Sequence, residues 1–367
     1  MKRTHLLLAT LTASALMAGN VAAANPSAGL KKGDATLKSI GPIAFTPDGI
    51  LLVSDPKAAT IYAIATNDKK ADGQIKIENV NEKIAGLLGT SPDQILIVDI
   101  AVNPVSKNAY LAVSRGRQAN AASVIVRASA GGKLETVSLK GVNLSKAELP
   151  DAPADGEVGS GRRKMNPRTE SITDIAFTDG RVVVAGLANE EFASTLRAIP
   201  FPFKNVAKAT TVEIYHGAHG KFETRSPIRT FAPFGTGKNP SLFAAYTCTP
   251  LVHFPISDLK PNAKIKGKTV AELGNRNRPL DMIVYHQKDQ DYLLIANSAR
   301  GIMKVTTSNL DATESITSRV AGTAGLKYET IKDWSGIEQL AKIDDKLALV
   351  VRKTDGGAFH LESLPLP

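Results

Sequence analysis

Arginine recurs where this chain passes into or out of short apolar runs, positions from which a guanidinium fork can grip a carboxylate or a phosphate. Arg115 and Arg300 follow the apolar runs 109–113 and 292–296, and Arg225 and Arg278 precede those that open near Ile228 and Met282. With Asn297 and Glu170 to fix orientation, these four arginines are the candidate donors for an acidic small molecule or a protein partner. A second chemistry is written in Tyr215-His216-Gly-Ala-His219 and Thr247-Cys248-Thr-Pro-Leu-Val-His253. Imidazole and thiolate suit copper or zinc, and His219 and Cys248 are the two that a common loop face would bring together. The alternative for Cys248 is a buried, inert thiol.

The elements that must position these residues repeat. A short apolar strand, a turn, a second apolar strand and a polar tip occur six times. They open at Pro42-Ile-Ala-Phe45, Asp99-Ile-Ala-Val102, Asp174-Ile-Ala-Phe177, Pro227-Ile-Arg-Thr-Phe231, Asp281-Met-Ile-Val284 and Gly336-Ile-Glu-Gln-Leu340. From Ile43 through Ile100, Ile175, Ile228 and Met282 to Ile337 the steps are 57, 75, 53, 54 and 55 residues. Such a period in strand-rich sequence predicts an all-β, six-bladed β-propeller. Thr46-Pro-Asp-Gly49 shows the turn chemistry, with Pro second and Gly fourth. The residues around Ala35-Thr-Leu-Lys-Ser39 are expected to supply the outermost strand of the last blade, closing the ring with N- and C-terminal strands in one blade. The 75-residue step carries a Pro-, Gly- and charge-rich insertion at about 145–168, expected as a long loop. In this topology, the loops entering the inner strands and the tips after the second strands share one face, which becomes the mouth of a central channel.

The phrases 45–55 (FTPDGILLVSD) and 294–305 (LIANSARGIMKV) resemble six-bladed propellers of the SMP-30/gluconolactonase, NHL and TolB-like kind. The lactonase resemblance implies a divalent, calcium-like cation held by oxygen ligands, with Glu170, Asn189, Asn297 and Asp55 at comparable mouth positions. Such an ion would polarise an ester or lactone carbonyl and activate water. The family's glutamate position here holds Gly41-Pro42, and Arg278 and Arg352 crowd the place of its aspartate. A hydrolase and a non-enzymatic binding protein therefore both remain open. The single tryptophan, Trp334, argues against a quinoprotein propeller, whose repeats depend on tryptophans docking the blades.

Lys2, Arg3 and an apolar core at 6–18, followed by small residues near 21–24, predict a secretory signal over residues 1–24 and export to the periplasm or beyond. The remainder, 25–367, is expected to be one propeller domain and a monomer. Removing residues 1–24 takes the formal charge from +10 to +8, consistent with anionic partners. Nucleic acid is not expected, because no helix-turn-helix or aromatic-and-basic platform is present. No later run suits a membrane span. One cysteine excludes an internal disulfide framework. Motifs for covalent haem, a nucleophile elbow and a phosphate loop are absent, and Gly235-Thr-Gly-Lys-Asn-Pro240 reads as a hairpin turn.

Overall fold

The computed structural model describes residues 29–70, 73–118, 120–161, 164–235, 239–248 and 250–367. The expected signal segment 1–24, part of the 235–240 turn and part of the 161–164 run lie outside the described residues. Six sheets stand around a common axis as a six-bladed β-propeller. Their inner strands are Ile43–Phe45, Ile95–Val102, Asp174–Thr178, Thr230–Phe234, Pro279–Gln287 and Ile337–Lys342, and they number blades 1 to 6 here. Second strands are apolar on both faces because each blade is sandwiched between two others. Ile50–Asp55 and Ser241–Ala245 are buried throughout. The Thr46–Gly49 turn forms as its residues dictate. Gly49 takes φ +80° and donates to the Thr46 carbonyl at 3.0 Å, while Thr46 Oγ1 accepts the Ile50 N–H at 3.1 Å.

The blades do not follow one another around the ring in chain order. Inner strands touch in the sequence 2–1–3–4–5–6, with blade 6 returning to blade 2. Six apolar clusters fill the six gaps and confirm that order. Leu51 and Val53 of blade 1 pack with Tyr110 and Ala112 of blade 2, whereas Ile50 and Leu52 pack with Ile175 and Val182 of blade 3. Leu111 and Val113 of blade 2 meet Leu349 and Val351 of blade 6. The helix Val80–Leu88, entered after Asn79 and ended by Gly89 at φ +63°, buries Val80 and Ile84 in that last gap.

Closure differs from the expectation. The strand that completes blade 6 is Lys76–Ile77, paired with Phe359–Pro365, not the segment around Ala35–Ser39. Ala35 instead donates to the Leu139 carbonyl at 2.8 Å. The insertion is not all loop either. Val142–Glu148 is the fourth strand of blade 1, pairing with Thr60–Ala65, and Lys31–Gly33 adds a fifth. Blades 1 and 6 are thus composite, each finished by a strand from elsewhere in the chain, so neither leaves its third strand as an open edge. Among the described residues no helix is long and apolar enough to cross a membrane.

Candidate functional site

Each tip lies against the entering loop of its own blade, so both sit on one face. Gly116 donates to the Gln94 carbonyl at 2.7 Å, Thr173 to Ala185 at 2.8 Å, Ser298 to Arg278 at 2.9 Å and Lys353 to Gly336 at 2.7 Å. Below this face the inner strands of all six blades enclose a channel cavity of about 310 Å³.

Three aspartates ring the channel. Asp99, Asp174 and Asp281 stand on blades 2, 3 and 5, every second blade of the ring. Each carboxylate clasps the next blade. Asp99 Oδ2 accepts the Ile43 N–H at 2.7 Å, Asp174 Oδ2 that of Phe231 at 2.7 Å, and Asp281 Oδ2 that of Leu340 at 2.6 Å. The other oxygen of each accepts the N–H of the next residue, at 2.7–2.8 Å. Register shifts between Ile97 and Asp99 and between Pro279 and Asp281 re-aim two of the three side chains inward. Burial pushes Asp99 up to about 8, with Asp174 adding repulsion. Burial alone raises Asp174 to about 7. Asp281 is raised well above the ordinary carboxyl range by burial, then by Asp99 and Asp174. The ring therefore carries carboxyl protons near neutral pH and can donate hydrogen bonds into the channel.

In the sequence these aspartates stand out only as parts of strand openings. The signal was present: Asp precedes Ile or Met in three of the six phrases. The other three blades need no acid, because they supply the N–H that is clasped.

Above the ring, Arg229 Nη1 donates to Glu170 Oε1 at 2.6 Å and Arg229 Nε to Thr247 Oγ1 at 3.2 Å. Arg278 joins this group. Its guanidinium is held below the usual arginine range by burial first and by Arg229 next, with Glu170 opposing. Among the described residues, the Arg278 guanidinium has no hydrogen-bond or ion-pair partner of its own. Arg229 was not singled out in the sequence, although it lies inside the Pro227–Phe231 phrase.

The remaining expected donors are dispersed. Arg225 is exposed. Arg115 Nη2 reaches the Gly89 carbonyl at 3.4 Å. Arg300 Nη2 donates to the Asn275 carbonyl at 3.1 Å and lies on Gly274, where a Cβ would fall 2.3 Å from it. Asn297 is engaged in its own tip: Nδ2 donates to Asn277 Oδ1 at 2.7 Å, and Oδ1 accepts the N–H of Ala299 and of Arg300, both at 3.1 Å.

The oxygen-ligand set does not present free oxygens to a shared centre. Asp55 is 0% exposed and accepts from Lys38 N–H at 2.5 Å, Ser39 N–H at 3.0 Å, Ser39 Oγ at 2.8 Å and Ala58 N–H at 3.0 Å. It anchors the N-terminal segment to the first tip. Glu170 is paired with Arg229, and Asn189 lies exposed at its tip. His219 and Cys248 do not meet as a metal pair. Cys248 is half-buried at φ +62°, with its N–H on the Asn277 carbonyl at 2.9 Å. His219 instead joins His216 and Glu223, the one group among the described His, Cys, Asp and Glu that gathers three donor atoms within 4.8 Å. The channel aspartates stand too far apart for that.

No protein-family model matches the chain, and no curated protein matches it. Among solved structures it is similar to the PQQ-bound form of an aldose sugar dehydrogenase from Streptomyces coelicolor, at 11% identity over 92% of this chain and 97% of that one, with a TM-score of 0.34. It is similar to a putative glucose dehydrogenase from Thermus thermophilus at 12% identity over 92% and 100% of the two chains, TM-score 0.36. A soluble aldose sugar dehydrogenase from Escherichia coli, in its apo form, aligns at 11% identity over 92% and 99%, TM-score 0.32.

Proposed function

We propose that the protein is an exported propeller that captures an acidic small molecule at the Arg278 edge of its channel mouth, without itself carrying out catalysis. The observation that carries this is the unpartnered Arg278 guanidinium, exposed at the mouth beside Arg229, above a cavity ringed by carboxyl groups. A cation repelled by a second cation is relieved by an anion that bridges both. The ligand's carboxylate would lie across Arg278 and Arg229, and its hydroxyl or carbonyl groups would meet the protonated aspartates below. The overall positive charge favours approach of such a ligand.

Titrating citrate and, separately, inorganic sulfate into the mature chain at low salt tests this. Arg278→Ala is expected to weaken citrate binding by roughly ten- to a hundredfold, the range for a lost charge-assisted bond of ~1.5–3 kcal/mol. The exposed neighbour Arg276→Ala serves as the control and should change little. Equal affinities for the wild type and Arg278→Ala, or no binding of either anion, would remove the proposal.

The N-terminal pattern supports export. Cells producing the full-length chain should yield, in the periplasmic or extracellular fraction, a product whose intact mass begins near residue 25. Recovery only in the cytoplasm, at the mass of the uncleaved chain, would contradict it.

A further inference from the structure

Away from the channel, at the outer edge of blade 3, a hairpin brings two histidines and a glutamate together. The strand Thr210–His216 ends at His216, and the chain returns as Lys221–Glu223. Gly220, at φ +67°, donates to the His216 carbonyl at 2.8 Å and tightens the turn. The turn lays the His219 ring over the His216 ring, with centroids 3.7 Å apart and planes inclined at 31°. Glu223 spans both: Oε2 lies 3.0 Å from His216 Nδ1 and Oε1 lies 2.6 Å from His219 Nδ1. Ser226 Oγ donates to Glu223 Oε2 at 2.6 Å and fixes the carboxylate.

A second, independent observation comes from the neighbouring blade. Glu272, on the strand Lys268–Leu273 of blade 4, is 0% exposed. Its Oε1 accepts the Gly217 N–H at 2.5 Å, within the same turn, and its Oε2 has no partner among the described residues. His216 is 2% exposed, and its Nε2 is likewise buried without a partner. Two carboxylates thus face two imidazoles, and among the described residues no lysine or arginine pairs with either acid. Buried charge of this kind needs a counter-charge. A divalent cation would supply it while leaving both imidazoles neutral, the form in which they ligate.

The spacing suits that ion. Donor atoms about 2.0–2.2 Å from a tetrahedral zinc lie roughly 3.3–3.6 Å from one another. The hydrogen bonds of 2.6 and 3.0 Å hold the same atoms slightly closer. Entry of the ion requires only replacement of protons and a small opening of the hairpin end. His219, whose side chain is 45% exposed, gives the way in and leaves a position open to water.

We propose that His216, His219 and Glu223 bind one divalent zinc-class ion through the two imidazoles and the carboxylate, with Glu272 as the buried counter-charge behind it. The thiol of Cys248 takes no part.

Zinc chloride titrated by calorimetry into untagged, chelator-stripped full chain tests this. One ion per chain is expected. Cobalt in its place should give the visible d–d bands of a tetrahedral site. His219→Ala removes a partly exposed ligand, so the fold is retained, and it should weaken zinc binding by at least about a hundredfold. Glu272→Gln should weaken it by about tenfold, as removing a supporting group around a metal does. Cys248→Ser should leave it unchanged. No saturable zinc binding, unaltered binding in His219→Ala, or loss of binding in Cys248→Ser would each overturn the assignment.

Discussion

Raising the pH from 5 to 8.5 is expected to weaken the fold through the channel aspartates, and Asp174→Asn should remove part of that loss. In the unfolded chain these groups titrate near 3.9. In the fold Asp99 lies at about 8, Asp174 at about 7, and Asp281 is also raised. Above about pH 4 the folded state therefore holds more protons than the unfolded one. The stability associated with those protons is complete below the unfolded value and is lost as pH rises through 7 and 8. Each additional proton contributes a slope of about 1.4 kcal/mol per pH unit.

Asparagine keeps an acceptor oxygen for the Phe231 N–H and cannot ionise. It loses the second acceptor, worth about 1 kcal/mol at every pH. Relative to the wild type, Asp174→Asn should therefore gain on the order of 2–3 kcal/mol between pH 5 and 8.5. Urea denaturation of both proteins across that range measures it. Parallel stability curves for the two proteins would show that Asp174 is not held protonated. Asp99→Asn should in addition ease ionisation of Asp281, because Asp99 repels it more strongly than Asp174 does.

What the sequence made legible was local. The six strand phrases, the Thr46–Gly49 turn and the sharing of one face by tips and entering loops all follow from patterns within about ten residues. Ring order does not. A period states how many blades exist, not which of them are neighbours. The strand Lys76–Ile77 is two residues long and carries no strand signal of its own. The strand Val142–Glu148 is largely polar and only partly buried, so it reads as loop. The 75-residue step was visible, but the strand inside it that belongs to blade 1 was not. Of the mouth arginines, Arg278 sits in a charged group above the channel because Arg229 and Glu170 come from adjacent blades. Nothing in its local sequence separates it from Arg225. Likewise His216 and His219 meet because the turn at 217–220 doubles back tightly, a detail finer than strand periodicity.

The unusual ring order rests on a crossing that should be sensitive to a single residue. After blade 1 the chain runs beneath blade 2, on the face opposite the mouth, before adding Lys76–Ile77 to blade 6. Asp68 pins that crossing. Its Oδ2 accepts from Ser106 Oγ at 2.8 Å, Asn108 Nδ2 at 3.0 Å and Tyr110 Oη at 3.0 Å, all in or beside the 103–108 turn of blade 2. Its carbonyl accepts from Asn103 Nδ2 at 3.1 Å, and Arg127 Nη1 lies 3.7 Å from Oδ1. Asp68 is only 8% exposed. Asp68→Ala therefore strands several buried donors together with a cation. Breaking a buried, hydrogen-bonded charge of this kind costs roughly 3–5 kcal/mol, which lowers the melting temperature by several degrees in a chain of this size. Asp68→Asn keeps one acceptor and should lose less. Asp48→Ala, at an exposed turn, should stay within about 0.5 kcal/mol of the wild type. Limited proteolysis distinguishes a local from a general loss. If the crossing secures the ring, Asp68→Ala should be cut within residues 66–79 before the rest of the chain opens, because releasing that segment strips the fourth strand from blade 6 and the helix from the gap between blades 2 and 6. A variant that melts with the wild type, or is cut first elsewhere, would mean that blade packing alone holds the ring and the crossing is incidental to it.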